Sequence, residues 1–203
     1  MKACHLFAVA LINSLAVATA QAQFLDSAQS NLLLPYTRCP LEGGLSLIAT
    51  DHAPNLPMAR PVDTAAGRKE VSVADGYRVM LAFPDSDPFV SLKIEVSMPG
   101  NYGSDKQAVL EGMASMSANS TGSTMELMRS VKHGIDVAAL SRSNLEGGVI
   151  SFYTFFDDKK NIVVTAYILN ALPERRAFKD IAGFRSRRDR FVENYTKCMA
   201  AID

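Results

Sequence analysis

The chain has no excess of either charge: 21 Lys and Arg stand against 21 Asp and Glu in 203 residues. That balance excludes the global basic field that nucleic-acid binders use, so DNA and RNA are not expected partners. Histidine is scarce, three residues in all. His52 and His133 stand far apart in unlike contexts and no H-E-x-x-H occurs, so no metal site is expected. No glycine-rich loop suited to cradling phosphate is present, and no cofactor is expected. Gly44-Leu45-Ser46-Leu47-Ile48 lacks the second glycine of a nucleophile elbow. Past the first two dozen residues no apolar run approaches the ~20 residues that cross a bilayer. The best, Ile162 to Leu172, is short and interrupted by Thr165 and Asn170. Disorder is excluded as well, because 48% of the residues are hydrophobic, a normal content for a globular protein.

The opening segment carries an address. Lys2 supplies a short positive region and Leu6 to Ala20 an apolar stretch. Ala20-Gln21-Ala22 then has the small-x-small form of a signal-peptidase site. Residues 1–22 are therefore expected to be a signal peptide of bacterial character, with the mature chain beginning at Gln23. In that setting the sequons Asn119-Ser120-Thr121 and Asn194-Tyr195-Thr196 are chance matches. Cleavage would leave a periplasmic or secreted protein without a membrane span. It would also remove Cys4, and of the three cysteines only Cys39 and Cys198 would remain. In an oxidising compartment these two are expected to form a disulfide, the alternative being two independent buried thiols.

About 180 mature residues suit one domain with a well-buried core. Residues 23–67 read as an irregular N-terminal arm or tether. A short helix within 24–34 is followed by Pro40, Gly43, Gly44, Pro54, Pro57 and Pro61, which punctuate the rest. The compact domain is expected over 68–203. Asp75-Gly76 between two apolar runs predicts a type I′ hairpin. Val90, Leu92, Ile94 and Val96 alternate with Ser91, Lys93, Glu95 and Ser97, which predicts a strand with one wet face. Ser104 and Gln107 have the spacing of a capping box for a helix reaching about Ala118, with Val109, Leu110, Met113 and Met116 on its packed side. Two strands are predicted about Gly134, with His133 in the turn. The clearest hairpin pairs 148–156 with 162–170 across Asp157-Asp158-Lys159-Lys160-Asn161.

A final helix of some 25 residues is expected after Pro173, with Phe178, Ile181, Phe184, Phe191, Val192, Tyr195, Cys198 and Met199 at 3- and 4-residue steps. Cys198 falls on its inner stripe, so a bridge to Cys39 would pin the arm to this helix. The same helix carries the densest charge cluster: Arg185, Arg187, Arg188 and Arg190. These are candidate partner-binding residues, since arginine forks grip acidic groups. The alternative is a solvated face with Arg185–Asp189 and Arg190–Glu193 pairs. Arg188 lies on the apolar stripe and is expected to snorkel past a kink at Gly183.

The order hairpin, strand, helix, strands, long hairpin and C-terminal helix resembles the PsbP-like α/β/α sandwich. The pieces that carry the likeness are Gly76-Tyr77-Arg78-Val79, Gly148-Val149-Ile150-Ser151-Phe152-Tyr153 with Ile162-Val163-Val164-Thr165-Ala166-Tyr167, and the helix ending near Cys198. The resemblance implies a binding or accessory role rather than catalysis, and it names no ligand.

The expected class is therefore α+β: an antiparallel β-sheet flanked by helices, sandwich-like, with an irregular arm. The expected function is that of an exported, non-enzymatic binding or accessory protein acting on another protein of the cell envelope. An inhibitor or immunity protein against a secreted toxin is a specialised alternative, and a hydrolase with an unfamiliar site is another. For the latter, Ser91 with Lys93 and Ser130 with Lys132 share a strand face, but such dyads need a buried lysine. Asp85, Asp87, Asp157 and Asp158 lack the spacing of a calcium loop and are expected in solvated turns.

Overall fold

A computed structural model describes residues 31–39, 44–52, 59–120, 125–145, 148–170 and 178–203. The proposed signal peptide, and most of the prolines and glycines assigned to the arm, lie outside these residues. Helix α1 is described over 31–37. The strands are β1 (Ser46–His52), β2 (Ala59–Thr64), β3 (Gly67–Ala82), β4 (Pro88–Ser97), β5 (Glu126–Lys132), β6 (Ile135–Ser141), β7 (Val149–Asp157) and β8 (Ile162–Leu169). Helix α2 (Tyr102–Ala118) joins β4 to β5, and α3 (Ile181–Ala201) closes the chain.

The sheet is antiparallel throughout, in the order β1-β3-β4-β8-β7-β6-β5, with β2 paired to the first half of β3. Helices α1 and α3 cover one face and α2 covers part of the other, which is the expected α+β sandwich. Strands β7 and β8 form the expected central hairpin. Between β5 and β6, His133 (φ 52°) and Gly134 (φ 83°) both adopt positive φ, as a type I′ turn requires.

Asp75-Gly76 is a correction. Neither residue adopts the positive φ of a type I′ turn, and both lie inside the 16-residue strand β3. Two edges explain this. β3 pairs with β2 through Ser72 and with β1 from Tyr77, and its ladder to β4 shifts between Val73 and Asp75. Asp75 sits at that bulge, where its Oδ1 accepts the Gly76 N–H at 2.8 Å and meets His52 Nε2 at 2.7 Å. The aspartate-glycine pair thus serves a change of strand partner. The real turn is two residues long and lies between Thr64 and Gly67, where Gly67 takes φ 115°.

The segment before residue 68 is also more regular than its composition implies. It supplies β1 and β2, and the boundary expected at 67/68 falls in the β2–β3 hairpin. Edge positions accept strands whose sequences lack clean alternation, because only one side of the ladder must be matched. Accordingly, β1 is exposed over 46–51.

Helix α2 starts at Tyr102, without a side-chain cap, so the capping box at Ser104 does not form. Ser104 Oγ instead donates to the Asn101 carbonyl, and Gln107 donates to Glu111. The inner stripe is Asp105, Ala108, Val109, Gly112 and Met113. Asp105 Oδ1 accepts the Ser72 N–H at 3.0 Å, which ties the helix to β3. Leu110 is half-buried and Met116 exposed.

Helix α3 is capped by Asp180, whose carboxylate accepts the Gly183 N–H at 2.7 Å. Phe184, Phe191, Val192, Tyr195, Thr196 and Met199 are its buried stripe. Phe191 and Tyr195 stack at 5.5 Å, and Tyr195 meets Phe155 of β7 at 5.6 Å. Cys39 and Cys198 are disulfide-bonded, with Cα atoms 5.4 Å apart. Two buried hydrogen bonds reinforce the bridge: Tyr36 donates to Asp157 Oδ2 at 2.6 Å and Tyr195 donates to the Tyr36 carbonyl at 2.9 Å. Burial, with the Asp157 carboxylate adding to it, holds the Tyr36 phenol well above its ordinary pKa, so it stays a donor.

Candidate functional site

At the α3-facing end of β6 the chain gathers arginines from distant positions. Arg185 and Arg188 project from the first turns of α3, and Arg142 follows the last residue of β6. With Ser141, Ser143, Glu126 and Met128 they line a cleft of about 390 Å³. A second hollow of about 410 Å³, sharing Met128 and Arg188, continues between edge strand β5 and α3 past Tyr153 and Val192. Burial raises the Tyr153 phenol pKa, so it too remains a neutral donor.

Arg188 corrects the snorkelling expectation. Its side chain is only 11% exposed and its Nε and NH2 grip Asp189 at 2.8 and 2.7 Å. NH1 donates to Ser141 Oγ at 3.0 Å, and Ser141 is hydrogen-bonded to Ser151 at 2.7 Å. The cation is held on the sheet by partners, which is how a guanidinium tolerates burial.

The four candidate arginines do not form one patch. Arg185 and Arg188 face the cleft. Arg187 lies over the Phe83 ring at 5.6 Å, and Arg190 is directed to Ser186 at 3.4 Å. Asp189 serves Arg188, while Glu193 is taken by Lys132 at 3.1 Å and His133 at 2.6 Å. Those two neighbours hold the Glu193 carboxyl below its usual pKa, His133 first.

Other candidates are placed as follows. His52 ends β1, stacks on Tyr77 at 4.6 Å and bonds Asp75. Lys93, expected on a wet face, is only 15% exposed and pairs with buried Glu95 at 2.8 Å. Ser97 is buried too. Lys132 is engaged by Glu193, and within the cleft the hydroxyl of Ser141 meets Ser151 and Arg188 rather than a histidine. Asp157 is not solvated but buried against Tyr36, and Asp158 binds Tyr102 and Lys106. Among the described residues no group of three or more His, Cys, Asp or Glu is placed to hold a metal ion. None of the described helices is long and apolar enough to cross a membrane.

No family model, curated protein or solved structure matches this chain. The site therefore rests on its own geometry. Sequence reasoning missed Arg142 and its serines. The usable signal was Ser141-Arg142-Ser143, a cation between hydroxyls directly after a buried strand. Nothing local ties that tripeptide to Arg185, which lies more than 40 residues later and comes near only when α3 packs on β6. Chemically, arginines lining one opening give it positive charge, and guanidinium groups hold carboxylates or phosphates through paired, charge-assisted hydrogen bonds; Arg188 contributes charge while its own nitrogens stay on Asp189 and Ser141.

Proposed function

We propose that the protein is exported and acts without chemistry of its own, as a binding or accessory protein that docks an acidic segment of another cell-envelope protein. The observation that carries this is the gathering of Arg142, Arg185 and Arg188 around one cleft beside β5, the edge strand of the sheet among the described residues, with Glu126 the one carboxylate among the described residues of its lining. An edge strand offers backbone groups to an extended partner, and the arginines supply charge complementarity. The Cys39–Cys198 bridge suits an oxidising compartment, and export follows from the opening segment as a signal peptide. The PsbP-like likeness belongs to the same proposal and is supported by the layer order.

The test starts with the cell. Intact mass of protein from the periplasmic fraction should place its N-terminus at Gln23. Cross-linking in intact cells should then give a defined adduct that Arg185→Glu abolishes, because Arg185 is exposed and its reversal leaves the fold unchanged. An adduct indifferent to Arg185→Glu would remove the cleft from the proposal, and hydrolytic turnover by the pure protein would replace a binding role with an enzymatic one.

A further inference from the structure

The face of the sheet that carries α2 holds a second opening, of about 440 Å³, within the ~300–1,000 Å³ range of small-molecule sites. α2 covers only part of this face, leaving a hollow between itself, β2 and the ends of β6, β7 and β8. Val62, Met113, Met116 and Met125 form its walls, and Phe152 against Tyr167, edge to face at 5.1 Å, forms its floor. Among the described residues of its lining two are charged, and they have unlike settings. Asp63 is turned outward, 79% exposed and paired with Arg68 at 3.0 Å. Arg142, directly after β6, is half-buried in the lining.

We infer that this hollow binds a medium-chain fatty acid, the tail against the methionine wall and the carboxylate on Arg142. Three unbranched, polarisable methionine side chains adapt to a flexible alkyl chain, which offers no fixed shape to match. One guanidinium at the end of an apolar wall selects an anionic head and opposes a cationic one. Thr165 and Tyr167 add hydroxyls to the lining. Gly112 matters to the shape: a Cβ there would collide with Val62 Cγ1, so glycine lets β2 close the far wall. This inference goes beyond the docking of an acidic protein segment. It concerns the opposite face of the sheet, and among the described residues Arg142 alone borders both openings.

The test is calorimetric titration of the mature, disulfide-bonded chain with octanoate, decanoate and dodecanoate below their micelle thresholds, and with dodecyltrimethylammonium. Dodecanoate should saturate at one per chain, and each added pair of methylenes should tighten binding roughly ten-fold. The cationic amphiphile of equal length should bind at least ten-fold more weakly. Arg142→Gln should lower dodecanoate affinity about ten-fold or more while leaving the cationic amphiphile no weaker. Absence of saturable dodecanoate binding, equal binding of the two head groups, or an unchanged affinity in Arg142→Gln would overturn the inference. Should that variant not fold, the chain-length and head-group series on the unaltered protein still decide. No protein partner enters this titration, so its failure is separate from failure of the docking proposal.

Discussion

The two faces of the sheet are built from the same strands and filled differently. Against α1 and α3 the interior is aromatic: Phe89, Phe155, Phe184, Phe191 and Tyr195 are each 3% exposed or less, and the Cys39–Cys198 bridge ties the layer covalently. Against α2 the buried filling is mostly small or aliphatic, with Ala108, Val109, Gly112, Met113, Ala138 and Val163 around the buried ring of Phe156, and it includes the carboxylates of Glu95 and Asp105. The first face has the composition of a core that must hold one conformation. The second leaves an opening and tolerates buried charge, and such openings are where small ligands bind.

The largest expected effect breaks the first face. Cys198→Ser releases a loop closed by residues 159 apart, worth up to about 5 kcal/mol in the chain-entropy model. A melt with and without reductant checks it, and equal melting temperatures would mean that the bridge adds nothing to the packing around it. Next, Phe191→Ala on that face should cost about 3–5 kcal/mol, against about 0.5 kcal/mol or less for Met116→Ala on the other. Comparable losses in denaturant titrations would erase the contrast between the faces. Gly112→Ala should cost about 1–3 kcal/mol by driving Val62 away from α2. A neutral result would mean that β2 yields and that its seat on α2 is loose.

The smallest effect concerns pH. Burial works against the charge on Asp158, but Lys106 and Tyr102 outweigh it and hold its carboxyl below the usual range. Burial likewise opposes the charge on Lys106, and Asp158 with Asp136 raise its pKa nonetheless. A depressed carboxyl stabilises the fold above the ordinary aspartate pKa, and that contribution is lost as pH falls through the folded value. A raised lysine stabilises below the ordinary lysine pKa and loses its contribution as pH rises past the folded value. The network therefore works between the two limits. Asp158 is 59% exposed, so Asp158→Asn should flatten the acid limb of stability by no more than about 1 kcal/mol. An acid midpoint identical to that of the unaltered protein would refute the role.

Much of the fold was legible in particular residues. The Val-, Ile- and Phe-rich runs about Asp157-Asp158 became β7 and β8, and the 3- and 4-step apolar positions of the last helix became its buried stripe. The two cysteines left after the proposed cleavage are bonded. Asp75-Gly76 misled because the same two residues suit a turn or a bulge, and the choice lay with the distant strands β1 and β2. Ser91, Lys93, Glu95 and Ser97 alternate as a wet face does, yet Glu95 and Ser97 are buried and Lys93 is only 15% exposed. The candidate site was half legible: the cluster at 185–190 stood out, but its division between the cleft, Phe83 and solvent depends on the rotation of α3 on the sheet.

The sequence by itself determined what acts over a few residues: which segments alternate, which repeat at helical spacing, where His133-Gly134 turns the chain, and which cysteines could meet. Only the tertiary structure decided that β3 runs unbroken past Asp75, that Arg142 joins Arg185 and Arg188, and that α2 leaves part of its face open. The physical reason is one of range. Local dihedral and periodic preferences are written in neighbouring residues, whereas a strand's partners, a helix's rotation and the burial of a charge depend on segments brought together from far along the chain.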